Sequence, residues 1–134
     1  MKFFSTLFGS DPMEIDEPVH LISYKKEWKD IYESEKKLLL PVFSGQAIEF
    51  EHIGSTSIEG MIAKPIIDIM IGLRSLEIGR ELKKLLNDLG YVGFGEAGVP
   101  GRLYYRKRKV NDINLQLTKW KSLLWEENIL FRDY

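Results

Sequence analysis

One acid inside an apolar run, Ile66-Ile67-Asp68-Ile69-Met70-Ile71, constrains this chain more than any other feature. The run is continuous and rich in β-branched residues, so it reads as a central strand covered on both faces. A carboxylate there is costly unless it meets a partner or a cation. Alternation places Asp68 and Met70 on one face, with Ile67, Ile69 and Ile71 on the other. Upstream, Ala47-Ile48-Glu49-Phe50-Glu51-His52-Ile53 alternates apolar and polar residues and predicts a strand with one wet face. Glu49, Glu51 and Ile53 share one side of it; Ile48, Phe50 and His52 share the other. Gly54-Ser55 ends that strand, and Thr56 or Ser57 opens a short helical turn toward Met61. Lys64-Pro65 then leads into the central run.

The two segments His52-Ile53-Gly54-Ser55-Thr56 and Ala63-Lys64-Pro65-Ile66-Ile67-Asp68-Ile69 together resemble the signature of the GrpB family (the UPF0157 group), which belongs to the nucleotidyltransferase superfamily. The likeness extends from Pro18-Val19 through Trp28 to the closing Leu130-Phe131-Arg132-Asp133-Tyr134. The central motif is long and specific, whereas the flanks alone are weak. The resemblance implies a minimal nucleotidyltransferase-like fold: an α+β domain with a mixed sheet of about five strands and helices packed on one side.

Length and composition are compatible with that expectation. With 134 residues the chain can form one domain with a real core. A formal net charge of -1 favours neither nucleic acid nor a membrane surface. Cysteine is absent, which removes disulfides and thiol chemistry and suits a reducing compartment. The opening Met-Lys-Phe-Phe stretch is too short for a signal-peptide core, and no later run is long enough to span a bilayer. A cytoplasmic location is expected. Residues 1–17, interrupted by Pro12, read as a flexible leader, or as a segment whose Phe3, Phe4 and Phe8 dock on the body or on a second copy. Residues 18–134 read as the single domain.

Along that domain, residues 19–22 predict a short edge strand after Pro18. Ser23 is placed to cap a helix over residues 24–40, closed by Pro41. Its apolar stripe is Trp28, Ile31, Tyr32, Leu38 and Leu39, and its Glu and Lys residues read as a solvated face. A second helix is expected over residues 75–89, with Leu76, Leu82, Leu85, Leu86 and Leu89 on one stripe and Gly90 as its stop. Residues 91–94 predict a short strand, and 95–101 a glycine-rich loop suited to a mobile lid or substrate rim. Residues 103–110 and 113–117 predict strands joined by Asn111-Asp112 as a two-residue turn. Residues 122–134 predict a last helix. It ends where the family it resembles continues, which leaves a truncated or minimal form open.

The chemistry implied by the resemblance is nucleotidyl transfer. That reaction needs a turn to hold a triphosphate, carboxylates to hold divalent metal, and a cation to offset charge on the leaving pyrophosphate. Gly54 lets backbone come close to an anion, and Ser55 adds a hydroxyl donor. Asp68 takes the first position of the superfamily's Asp-x-Asp or Asp-x-Glu pair and would hold Mg2+. The second position is Met70, which is no ligand for a hard cation, as the resemblance implies is usual in the GrpB family. Glu49, Glu51, Glu59 and Asp112 are candidate replacements that no spacing selects. Asn114 and Gln116 stand where family members often carry Asn-Leu-His or His-Leu-His, and amides bind ligands without acting as general bases.

Arg102 matches a family arginine after the glycine-rich loop and reads as a phosphate or carboxylate clamp. Arg106, Lys107, Arg108 and Lys109 follow it, beside Tyr104 and Tyr105, and read as a solvated strand face. Asp68 is also open to a cap or a core salt bridge, for instance with Lys64, His52 or Arg102. Lys64 is open to a surface role and His52 to that of a hydrogen-bonded core histidine.

The expected function is a nucleotidyltransferase-like protein that binds a nucleotide or other phosphorylated small molecule with Mg2+. Asp68 is its catalytic and metal residue. His52, Gly54, Ser55, Thr56, Lys64, Arg102, Asn114 and Gln116 are its ligand-binding residues. The alternative is a binding module without turnover. A link to coenzyme A metabolism follows only by analogy, because GrpB-like domains occur fused to dephospho-coenzyme-A kinases.

Overall fold

The computed structural model describes residues 20–133, so the leader and the first residue of the expected 19–22 strand lie outside the described residues. Of that strand, Ile22 makes one antiparallel bridge to Ala63, with N–H to O distances of 2.9 and 3.0 Å.

Helix α1 spans Glu27–Phe43 and departs from expectation at both ends. Ser23 does not cap it, because a preceding turn already occupies early amides: Trp28 N donates to Lys25 O at 3.1 Å and Lys29 N to Lys26 O at 3.2 Å. Pro41 lies inside the last turn rather than after it. A proline there deletes a bond only near a helix end, and Phe43, fully buried and edge-on to Phe50 at 6.3 Å, holds the final turn to the sheet. The buried stripe is Trp28, Tyr32, Glu35, Leu39 and Phe43. Glu35 therefore belongs to the core side, not to the solvated face, and Leu38 is half exposed instead.

Strand β1 is Ala47–Ile53, followed by a single 3-10 turn at Ser55–Ser57, and β2 is Ile66–Leu73. Helix α2 spans Gly79–Asp88, shorter than expected, because Ser75 Oγ accepts from Glu77 N at 3.1 Å and forms a local turn in place of a first helical turn. The expected 91–94 strand shrinks to β3, Val92–Gly93, since Tyr91 N is committed to Leu86 O at 3.0 Å. Strands β4 and β5 are Arg102–Arg108 and Asp112–Lys119, and helix α3 is Leu123–Asp133.

The β4–β5 ladder pairs Arg108 with Asp112, so residues 109–111 form the connection and Asp112 is in the strand. A two-residue turn at Asn111-Asp112 would shift the register by an odd number of residues and set charged side chains against the apolar face. The observed register instead pairs Lys107 with Ile113 and Leu103 with Leu117.

The five strands run in the order β1-β2-β5-β4-β3, with β2 and β5 parallel and the other neighbours antiparallel. This is the expected α+β fold with a mixed sheet. One face carries Phe50, Ile67, Ile69, Ile71, Leu73, Ile113, Leu115 and Leu117 against α1 and α2. The helices are not confined to that side. Helix α3 covers part of the other face, where Trp125 packs on Ile53 and Met70. Gly72 makes this approach close, since a Cβ there would lie 2.8 Å from Trp120 and 2.9 Å from Trp125. The expected wet face of β1 is thus half covered, with Glu49 accepting from the Trp120 indole at 3.2 Å and Glu51 paired with Arg132 at 2.5 Å.

Lys107, expected on a solvated face, lies on the helix side of β4. Its ammonium meets Glu35 at 2.5 Å, and Tyr91 OH donates to the same carboxylate at 2.6 Å. Burial, and then the hydrogen bond with Glu35, push the Tyr91 phenol far above its usual range. Removing one partner leaves an uncompensated buried charge. Glu35→Ala is expected to cost about 3–5 kcal/mol in urea unfolding. The double change Glu35→Leu with Lys107→Met is expected to cost much less, because it removes both charges while keeping volume.

Candidate functional site

Three strands place their polar residues on the face opposite α1 and α2. Alternation sets Asp68 on β2, Asp112, Asn114, Gln116 and Thr118 on β5, and Arg102, Tyr104, Arg106 and Arg108 on β4 toward that side. Asn114, Gln116 and Thr118 are buried, so the inner strand β5 carries a polar stripe on one face and a wholly apolar one on the other.

Asp68 sits where β2 passes the turn that ends β1. Ile53 is its ladder partner, and a Cβ built on Gly54 would lie 2.5 Å from Asp68 Oδ2. The carboxylate is therefore packed against the Gly-Ser turn. Gly54 holds φ 73 and ψ -177, a conformation that side chains rarely adopt. Ser57 Oγ donates to Gly54 O at 2.5 Å and closes the turn. On its other side Asp68 Oδ1 accepts from Asn114 Nδ2 at 3.0 Å, and Asn114 Oδ1 accepts from Arg108 Nη2 at 2.9 Å. The Asp68–Asn114–Arg108 relay ties β2, β5 and β4 together at one level of the sheet.

His52 and Thr56 serve the turn from its other side. The His52 ring stacks on Tyr32 at 4.9 Å, and its Nε2 lies 3.0 Å from Thr56 Oγ1. Thr56, almost fully buried, donates to Ile66 O at 3.3 Å and so ties the turn to the start of β2. Burial first, and then the charges of Arg132 and Lys29, lower the His52 pKa to about 4, so the ring is neutral near pH 7. His52 is thus a half-buried histidine, hydrogen-bonded to Thr56 and stacked on Tyr32. Ser55 remains half buried at the turn, and Lys64 is half buried two residues before β2.

Arg102 is buried and holds the glycine-rich loop. Its Nε donates to Glu96 O at 2.9 Å, Nη2 to Ala97 O at 3.1 Å and Nη1 to Gln116 Oε1 at 2.8 Å, while its guanidinium lies 4.5 Å from the Tyr104 ring centre. Arg106 lies over Phe94 at 5.4 Å.

Among the described residues no group of three His, Cys, Asp or Glu side chains is arranged to hold a metal ion. Glu51 is the ladder partner of Met70, beside the missing second carboxylate, but it is paired with Arg132. Glu49 is engaged by Trp120, and Glu59 forms an exposed pair with Lys29 at 3.6 Å. Asp112 shares the Asp68 face, two residues before Asn114, a placement its spacing in the sequence did not single out. Mg2+ commonly takes one or two carboxylates and completes its shell with water and substrate phosphates. The single carboxylate at Asp68 falls short of the set that a two-metal centre needs. Thr118 and Arg132 were missed from the sequence: the first lacked any motif, and the second reaches Glu51 and His52 O only through the packing of α3.

A five-stranded mixed sheet with helices packed on it defines a small α+β class. The sequence matches the GrpB protein family over residues 18–134, and the chain belongs to that family. It is similar to the UPF0157 protein YqkA of Bacillus subtilis, at 36% identity over 87% of this chain and 34% of that protein. It is also similar to the glutamate-rich protein GrpB of Alkalihalophilus pseudofirmus, at 31% identity over 87% of this chain and 70% of that protein. A crystal structure of the conserved protein GrpB from Enterococcus faecalis superimposes with a TM-score of 0.80 at 28% identity, covering 86% of this chain and 71% of that one. The chain spans about a third of the length of the Bacillus relative. Among the described residues no helix is long and apolar enough to cross a membrane.

Two outcomes follow for the turn. Gly54→Ala is expected to lose about 1–3 kcal/mol from the backbone alone, and more from the clash with Asp68, in urea unfolding. For His52 the folded pKa of about 4 lies below the ordinary 6.5, so the unfolded chain takes the proton first as pH falls. Its stabilisation is complete above pH 6.5 and is lost progressively down to about pH 4, a change of roughly 3 kcal/mol. A His52→Gln variant should show a flatter decline of melting temperature across that window.

Proposed function

We propose that this GrpB-family chain binds a nucleotide or another phosphorylated small molecule together with one Mg2+ ion. The observation that carries this reading is the Asp68 carboxylate packed against the Gly54 turn. An acid kept at that depth, with Asn114 orienting one oxygen, is pre-arranged for a cation that an anionic ligand brings with it. In this reading Ser55 and the backbone amides of the turn face the phosphates. Lys64 and the β4 arginines balance their charge, and Asp68 holds the metal. His52 and Thr56 act as positioning residues, since their side chains brace the turn. Arg102 keeps the residue 95–101 loop against the sheet and thereby sets the rim of the site.

The bound ion would supply charge neutralisation on the phosphate oxygens. The chain's own residues supply orientation: Arg108 fixes Asn114, Asn114 fixes Asp68, and Gly54 admits the ligand's oxygens to the backbone. Nucleotidyl transfer within the superfamily named above is the stronger form of the proposal. The weaker form, a binding module without turnover, is favoured by Met70, Asn114 and Gln116, which place no further carboxylate or titrating base at those positions.

Calorimetry with a nucleoside triphosphate and Mg2+ tests the reading. Asp68→Asn is expected to weaken binding at least tenfold, and equal affinity for variant and parent would refute it. Incubation with labelled triphosphate then separates the two forms. Pyrophosphate release or self-modification marks transfer; binding with no release marks the module.

A further inference from the structure

The β5 polar stripe leaves two donors unused. Gln116 is 7% exposed and Thr118 is fully buried, yet Gln116 Nε2 and Thr118 Oγ1 have no hydrogen-bond partner among the described residues. The Gln116 amide cannot simply be turned over. A guanidinium carries only donors, so Arg102 Nη1 at 2.8 Å requires the amide oxygen on its side and drives the NH2 group the opposite way. Buried polar groups are almost always paired, and exceptions call for an explanation. Here they lie two residues apart on one strand, hence on the same face, beside Met70 and Gly72 of β2.

We propose that Gln116 Nε2 and Thr118 Oγ1 form a subsite for a ligand oxyanion, a carboxylate or phosphoryl oxygen, bound without metal. The inference rests on the reading of the Asp68 face as a ligand site and adds a second anchor to it. An anion is favoured over a neutral acceptor because Arg102, Arg106 and Arg108 share this face, and Arg102 touches the same amide. The subsite lies along β5 from the Asp68–Asn114 contact by one to two pleat repeats, about 7–13 Å. One ligand can therefore span both, with its metal-bound phosphate at Asp68 and a second acidic group at Gln116. The loop at residues 95–101 is tied to the subsite, since Arg102 holds Glu96 O and Ala97 O in the same guanidinium that holds Gln116.

The test uses the full chain without Mg2+ and compares melting temperatures in sodium phosphate, sodium malonate and sodium chloride at equal ionic strength. The parent protein should be stabilised by several degrees in phosphate, in malonate or in both, relative to chloride. The phosphate and malonate arms separate a phosphoryl from a carboxylate ligand. Gln116→Glu replaces the donor by an acceptor and gives Arg102 a full carboxylate. Its melting temperature in chloride should be no lower than the parent's, while the oxyanion shift disappears. Thr118→Val, close in shape, should reduce the shift severalfold and covers the case in which the first variant does not fold. No shift beyond chloride in the parent, as expected if only water satisfies these groups, overturns the proposal. Shifts undiminished in both variants overturn it as well. If the oxyanion shift is lost in Gln116→Glu while Asp68→Asn binds Mg2+-nucleotide unchanged, this subsite stands and the metal-site reading falls. The reverse pattern overturns this subsite alone.

Discussion

The contact between the Asp68 carboxylate and the backbone of Gly54 is the constraint on which the rest of the polar face depends. It forces glycine at the turn, because a Cβ would lie 2.5 Å from the acid's oxygen. It also fixes where β1 must end, since Ile53 pairs with Asp68 in the ladder. Asn114 and Arg108 extend the same contact across two more strands. A partly buried acid needs partners to offset its lost hydration. This one is held by a relay across the sheet, so its orientation is shared with the register of β2, β5 and β4.

The sheet separates two kinds of work. The face toward α1 and α2 is a close-packed apolar core that includes the Lys107–Glu35 ion pair, capped by the Tyr91 hydroxyl. The opposite face carries the acids, amides and arginines, and α3 covers only part of it. The inner strands β2 and β5 obey both demands at once. Ile67, Ile69, Ile71, Leu73, Ile113, Leu115 and Leu117 face the core, while Asp68, Asn114, Gln116 and Thr118 lie on the opposite face with Met70 under α3.

Several parts of this arrangement were legible in the sequence. The Asp68 run, its face assignment, the Gly54 break and the turn after it follow from alternation and from the cost of a buried carboxylate. The family likeness carried by the same residues, with the α+β fold it implies, holds over residues 18–134. Other readings failed for identifiable reasons. Glu35 and Lys107 each look like solvent-facing residues within their own elements, and only their meeting across the helix–sheet boundary makes burial tolerable. The β4–β5 connection was misplaced by its Asn-Asp pair because local turn chemistry does not know which face Lys107 must occupy. Arg102, expected as a clamp on ligand, also anchors the loop through carbonyls that no motif encodes.

The sequence by itself determined the strand pattern, the turn and the position of the acid, because these depend on period, on residue size and on the cost of burying charge, all local quantities. Tertiary structure decided which side chains meet: Asp68 with Asn114, Arg102 with Gln116, Glu35 with Lys107, Arg132 with Glu51. Each of those pairs is remote in the chain or set by strand register. Hydrogen bonds and ion pairs act over about 3–4 Å, so only the folded packing of sheet and helices could select them.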